Sequence, residues 1–405
     1  MSTTPMTIEL TLENRQQAMV LPTVVGFYFA FRLCITYLLF QSTPQTGAYV
    51  SVALNFLVLV VVGFHSFGPT PTTLGWTLRV PPYRWVIVFL AFSGCSLIWS
   101  ATVSLAVAFA YWCGMAADVA AVVLLLRTGP VDRMSTAIMK GYVAGACCIA
   151  LVAWLSPTMQ DLRPGNDDFF SPNAIGFTCA FGAFFGQFLT RSGKFSHVPT
   201  VFLAITLLRS LSKTTIVAFV TGEAFLLLRD PSISRRKKIM LAIAASLVIA
   251  AFWSLIQAYY EVYTNAGNQA ETLTGRLGIW SFVLQRSFEQ PWIGHGFHSF
   301  RNVIPPFGSF EAWHAHNELI QQFYAYGVVG VFLLIAVYGS FFRHARRMPP
   351  SPHKTLLFGL LLFIVIRGFG DTERFDLSFP LWSIALITLT VARSNSDDAF
   401  QEGTS

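Results

Sequence analysis

The chain has 405 residues, 54% of them hydrophobic and only 12% charged, with a mean hydropathy of +0.56. That balance excludes a soluble globule of this length and reads as an all-α polytopic integral membrane protein. The net charge of +7 does not point to nucleic acid, because the basic residues cluster in short loops between apolar runs, where they report topology.

Residues 1–19 are polar, with Glu9, Glu13 and Arg15, and read as a cytoplasmic tail, so the first apolar run is its own insertion signal. Runs at roughly 20–40, 48–66, 84–100, 103–126, 135–156 and 173–190 each suffice to cross a hydrocarbon core of about 30 Å. The loops "QSTPQTG" and "SAT" carry no charge, whereas "RTGPVDR", "RSGKFSH", "RDPSISRRKK" and "RHARRMPPSPHK" are basic and belong in the cytoplasm. Two of these basic loops flank roughly 31 apolar residues, and a single crossing between them would break parity. A pair of short helices at about 198–208 and 214–228, turning at "RSLSK", restores it. Arg209 and Lys213 then lie at the outer surface, as functional cations or as head-group anchors.

A span at about 239–260 returns outward, a loop fills 261–317, and spans at about 318–342, 355–369 and 377–393 follow, the last two bracketing the turn "RGFGDTERFD". The expected layout is therefore a tail (1–19), a transmembrane bundle (20–260) holding the hairpin at 198–228, an external loop (261–317), C-terminal helices (318–393) and a cytoplasmic tail (394–405). It gives about 12 transmembrane helices. The six cysteines fall in or beside apolar runs and read as packing residues rather than disulfides or thiolate ligands. Asp118 and Glu223, within spans, read as structural polar groups, while Arg32 is open.

The 261–317 loop is too organised for a linker. Trp280, Trp292 and Trp313 interleave with Arg276, Arg286, Arg301, His295, His298, His314 and His316, which suits a segment folded onto the bundle. "TGRLGIWSFVLQRSF" has helical apolar spacing that sets Arg276 near the helix start and Arg286 on the more polar side, with Pro291 ending the helix. The histidines also admit blander readings. "HAH" and "HGFH" could converge on zinc, or the imidazoles could simply bond backbone carbonyls. Gly327 and Gly330 read as a tight helix contact before they read as chemistry.

Several short motifs run in order along the chain: "SLIWS", "FFSPNAIG" containing Asn173, "SLSKT", "TGRLGIW", "PWIGHG" and "HAHNELIQQFYAYGVVG". In this order the chain resembles the bacterial O-antigen ligase and polymerase superfamily of integral membrane glycosyltransferases. The sharpest element is His316-Asn317, nine residues, then Gly327-Val328-Val329-Gly330, which fits the family's His-Asn-x9-Gly-x-x-Gly pattern. One departure is the hairpin turn, where the family's Ser-x-Ser-Arg reads Ser210-Leu211-Ser212-Lys213, leaving open whether Lys213, Arg209 or both take the arginine's part.

The resemblance implies a GT-C-like fold in the bacterial inner membrane, with the large loop helical and periplasmic. It implies a donor glycan on undecaprenyl diphosphate and a glycan or glycolipid acceptor, and it implies catalysis without a metal or other cofactor. A diphosphate gathers charge as the glycosidic bond breaks, which suits guanidinium groups. Arg276 is the first choice, with Arg209, Lys213, Arg286 and Arg301 as further candidates. An acceptor hydroxyl needs a base titrating near neutrality, as imidazole does. His316 matches the motif and His314 is the fallback, while Asn317, Gly327, Gly330, Asn173 and Trp280 are motif or structural positions. A ligase moving a finished glycan to lipid A core or a similar acceptor, a polymerase using the same donor, and a secondary transporter are the three function classes the sequence allows. The concentration of polar residues in one loop, without related halves, disfavours transport.

Overall fold

The computed structural model describes residues 5–40, 43–67, 77–156, 163–165, 170–191, 193, 195–229, 233–251, 253–254, 257–258, 261, 273–301, 303–306, 312–348, 352–372 and 381–390. Among these the protein is helical and has no extended strand. In chain order the helices are α1 (Pro5–Leu39), α2 (Pro44–His65), α3 (Pro81–Cys95, with a 3-10 turn at Ser96–Ile98), α4 (Leu105–Arg127), α5 (Val131–Leu155) and α6 (Pro172–Arg191). There follow α7 (Val198–Ser210), α8 (Lys213–Arg229), α9 (Arg235–Ala251), α10 (Leu273–Ser287), α11 (Glu318–Arg347), α12 (Pro352–Gly368) and α13 (Leu381–Thr390). Four segments, Pro81–Ile98, Leu105–Arg127, Val131–Leu155 and Glu318–Arg347, are long and apolar enough to cross a membrane. Met19–Ile35, Tyr49–His65, Val198–Ser210 and Leu381–Thr390 are shorter apolar helices. The count of about twelve crossings is thus not reproduced by length and composition alone. The 394–405 tail and residues 262–272 of the loop lie outside the described residues.

The first helix starts at Pro5 rather than near residue 20, so helix continues through the stretch read as a tail. It packs along α5 at a spacing that only glycine permits: a methyl group at Gly26 would strike the Ile138 carbonyl, and one at Gly141 the Thr23 carbonyl. Small residues let backbones approach where lipid gives no hydrophobic drive to associate. Across the same bundle Arg32 meets Asp118 at 2.7 Å, and Asn55 of α2 accepts from Arg32 at 3.3 Å. The contact makes Arg32 the ion-pair partner of Asp118. Glu223 accepts from Gln187 at 3.0 Å.

α7 and α8 form a helical hairpin, with Leu211 in the left-handed region (φ 52) reversing the chain between them. At 1.5 Å per residue these helices span about 20 and 26 Å, short of a full core. Around them Phe177, Phe181 and Phe184 surround the Phe363 ring of α12 at 5.9, 5.5 and 5.5 Å, an edge and stacked cluster that fixes α6 against α12.

The final motif builds a broken helix. Inside α11, Gly327 is non-helical (φ 62, ψ −153), which frees backbone groups on both sides of the break. The "PWIGHG" segment takes four of them: Val328 N donates to Pro291 O (2.8 Å) and Val329 N to Trp292 O (3.2 Å), while His295 N and Gly296 N donate to Tyr324 O (3.0 Å) and Ala325 O (2.7 Å). On its other side the segment locks onto "SLIWS", with Phe297 N donating to Ser96 Oγ (2.9 Å) and Ser100 Oγ to Phe297 O (2.6 Å). Three motifs scattered over the chain are therefore one interlocked joint. A Cβ at residue 327 would collide with the Trp292 backbone in a conformation foreign to L residues. Gly327→Ala is expected to cost at least about 3 kcal/mol, read as a lowered melting temperature of the detergent-solubilised protein; an unchanged melting temperature would contradict the joint.

Candidate functional site

The loop helix α10 ends at Ser287, four residues before Pro291, and buries Ile279 and Val283 in a small core with Phe300, Ile304, Ala312, Ala315 and Tyr324. This second core holds the loop on the bundle through α11. Trp280 Nε1 donates to Ala315 O (2.8 Å) and Gln321 Oε1 accepts from Ala315 N (2.9 Å), so Ala315 is pinned from both sides. Its flanking residues are His314 and His316. Asn317 caps α11, its Oδ1 accepting from Ile320 N (3.2 Å), and its Nδ2 donates to Phe369 O (3.0 Å). The cap thus ties the start of α11 to the turn that follows α12. His316 sits just before it with φ 50, a left-handed conformation uncommon for a non-glycine residue and concentrated at functional sites.

At this junction the two imidazoles meet a carboxylate. His314 Nε2 lies 3.2 Å and His316 Nδ1 3.5 Å from Asp371 Oδ1, and the two rings stand 4.2 Å apart. Arg367 Nη2 holds the other oxygen at 3.0 Å, with its guanidinium 3.9 Å over Phe177. Arg276 Nη1 donates to Gly370 O, the carbonyl beside Asp371. Burial alone would raise the Asp371 carboxyl, but Arg367 and the bonds from His314 and His316 hold it well below the usual carboxylate range. The 370 turn also rests on Thr214, so the start of α8 at Lys213 borders the cluster. Three turns distant in sequence, at 210–214, 314–317 and 368–372, come together with α10.

Arg367 and Asp371 were not among the candidates from sequence. Their turn carried an Arg-x3-Asp pair at one-turn spacing and a density of charge unusual for a short connection, which was the signal available. The other cations are elsewhere. Arg209 donates to Ala153 O (2.9 Å) and stacks 4.3 Å over Trp154 at the end of α5. Arg286 pairs with Glu289 on an exposed surface (2.9 Å). Arg301 stacks 4.0 Å over Trp313. Asn173 lies half-buried in the first turn of α6, and Gly330 is buried beyond the break. His295 and His298 do not join the cluster: His295 Nε2 is 3.0 Å from Arg286 O, and His298 Nδ1 is 3.1 Å from Thr102 Oγ1. A four-histidine zinc site is therefore not formed.

The ligating atoms of His314, His316 and Asp371 do lie within 4.8 Å of one another, a spacing a metal ion could bridge. The donor set fits a cation poorly, because Arg367 already neutralises Asp371 and Arg276 binds the adjacent carbonyl. Bringing a divalent ion beside two guanidinium groups costs more than three ligands of that kind offset. The same surplus of donors suits an anion.

Comparison with known proteins agrees with the resemblance. The O-antigen ligase family profile matches residues 198–335, a stretch running from α7 through the hairpin, the loop and the broken helix. The exopolysaccharide production protein ExoQ of Rhizobium meliloti (strain 1021) is 24% identical over 393 residues, covering 88% of this chain and 86% of its own. The O-antigen ligase of Pseudomonas aeruginosa is 27% identical over 181 residues, covering 44% of this chain and 42% of its own. The histidine pair, the hairpin turn and the break in α11 all fall inside the matched region, so this part of the chain is similar to the O-antigen ligase family.

Proposed function

We propose that the protein transfers a glycan en bloc from undecaprenyl diphosphate to an acceptor sugar hydroxyl, with inversion and without a metal, on the periplasmic side of a bacterial inner membrane. In this reading the chain crosses about twelve times and residues 261–317 face outward. The observation that supports it is the convergence of two imidazoles, a carboxylate and two guanidinium groups on one junction. His316 takes the proton of the acceptor hydroxyl as that oxygen bonds to the anomeric carbon. The carbon–oxygen bond to the diphosphate breaks with its electron pair on the leaving group. Asp371 stabilises the imidazolium so formed, and Arg276, with Lys213 at the neighbouring turn, receives the diphosphate charge. Arg276→Ala is expected to lower transfer by about 10²–10³-fold, and Arg276→Lys to recover only part of it, since a point charge replaces a planar fork. Steady-state assays with the purified variants check both.

A second reading is polymerisation of a carrier-linked glycan with the same donor chemistry. It draws on the long match to an exopolysaccharide production protein, against the shorter one to a ligase. Reconstituted full-length protein, given undecaprenyl-diphosphate-linked glycan and lipid A core acceptor, separates the two by product mass. En bloc transfer to the core, unchanged by a chelator, is the expected result. A ladder of repeat units still on the carrier supports polymerisation, and no product with either acceptor overturns both.

A further inference from the structure

A second group of donors gathers around Arg301, on the same loop as His314 and His316. Arg301 is half-buried, with its guanidinium over Trp313, the residue immediately before His314. Its Nε is buried without a hydrogen-bond partner among the described residues, and no carboxylate there forms an ion pair with it. The Tyr111 hydroxyl lies against the same guanidinium, and the Tyr111 ring stacks on His298 at 5.3 Å. His298 is held in a left-handed conformation (φ 60), with Nδ1 toward Thr102 and Nε2 buried and unpartnered among the described residues. Burial, and after it the charge of Arg301, push this imidazole down to about 4, so it is neutral at physiological pH. In the tautomer in which the Thr102 hydroxyl donates to Nδ1, the Nε2 position carries the proton and is a donor.

A half-buried guanidinium that forms no ion pair among the described residues, next to a buried ring nitrogen without a partner among them, leaves donor capacity that an anion would satisfy. Trp313 and Tyr111 place aromatic rings beside these donors, which suit a sugar ring. Accepting the glycosyl-transfer reading above, we propose that Arg301, His298 and Tyr111 form a binding site for a carboxylate carried by the acceptor glycan, seated next to the reacting centre. A guanidinium fork matches a carboxylate in two bonds, and an acceptor anchored there brings a neighbouring hydroxyl toward His316. The donor diphosphate is the other source of anionic charge, but Arg301 makes no hydrogen bond or ion pair with the Asp371 cluster among the described residues.

The test uses full-length protein in nanodiscs. A glucuronic-acid-containing tetrasaccharide, the same tetrasaccharide with its carboxylates reduced to alcohols, and undecaprenyl diphosphate are titrated separately by calorimetry. The acidic tetrasaccharide is expected to bind at least about tenfold tighter than its reduced form. Arg301→Gln is expected to erase that difference and Arg301→Lys to keep part of it, while His298→Gln, which retains a donor, weakens binding less than His298→Phe. Undecaprenyl diphosphate binding is expected to be unchanged in all four variants. Equal binding of the two tetrasaccharides by the wild type, no binding of either, or loss of undecaprenyl diphosphate binding in Arg301→Gln would each overturn the assignment. Failure of the underlying reading is distinct from these, since it appears as absent transfer by the wild type from a diphosphate-linked glycan.

Discussion

Replacement of His316 by alanine is expected to reduce glycan transfer by about 10²–10⁴-fold, the usual contribution of a positioned general base, with insertion, yield and melting temperature close to wild type. The distinction between the two imidazoles lies in which nitrogen each turns to Asp371. His316 presents Nδ1 to the carboxylate and His314 presents Nε2. The nitrogen facing away is therefore Nε2 in His316 and Nδ1 in His314, and Nδ1 of His314 is closed off from solvent. A base must reach the hydroxyl it deprotonates, so His314→Ala is expected to be the milder lesion. Mass-resolved initial rates with purified protein decide the matter: transfer by His316→Ala within tenfold of wild type would remove it from the base's role, and a reversed order would exchange the two histidines.

The parts of the fold that were legible in the sequence were those set by local rules. The α7–α8 helix pair followed from loop charge and span length, α10 from its apolar period, and α11 from its apolar run. The meaning of the glycines was less accessible. A contact was expected at Gly327, but only the fold brings Pro291 and Trp292 to the break, because the bonds that satisfy a broken helix come from residues 29 to 37 positions away in sequence. His314 and His316 could be singled out because they sit in a motif. Asp371 could not, since it acts across a separation of 57 residues and its turn read only as a loop between spans. Arg209 and Arg286 show the converse case. Charge in the right region of sequence marked them, while their actual neighbours, Trp154 and Glu289, engage each in an interaction outside the cluster.

Asp371→Asn is expected to be nearly as damaging as loss of the base, with turnover falling about 10²-fold or more and the Michaelis constant for the donor little changed. Asparagine keeps the shape but removes the charge that steadies an imidazolium, so the loss is in the chemical step rather than in donor binding. It also strands Arg367, whose guanidinium is buried against Phe177; breaking a buried pair in this way costs about 3–5 kcal/mol. The pH dependence separates that structural cost from acid inactivation. Because the folded-state Asp371 carboxyl is held well below its ordinary value, its contribution to stability is fully present above about pH 4, the unfolded carboxylate value. That contribution disappears only as pH falls through the depressed folded value. The stability gap between wild type and Asp371→Asn is therefore expected to stay constant from neutral pH to about pH 5. Melting curves of both proteins across that range are the measurement, and a gap that closes between pH 7 and 5 would mean that Asp371 is not the ionised partner of Arg367. Asp371→Glu, which restores charge at a slightly different reach, is expected to recover the stability more fully than the turnover, because a salt bridge tolerates displacement that proton transfer does not.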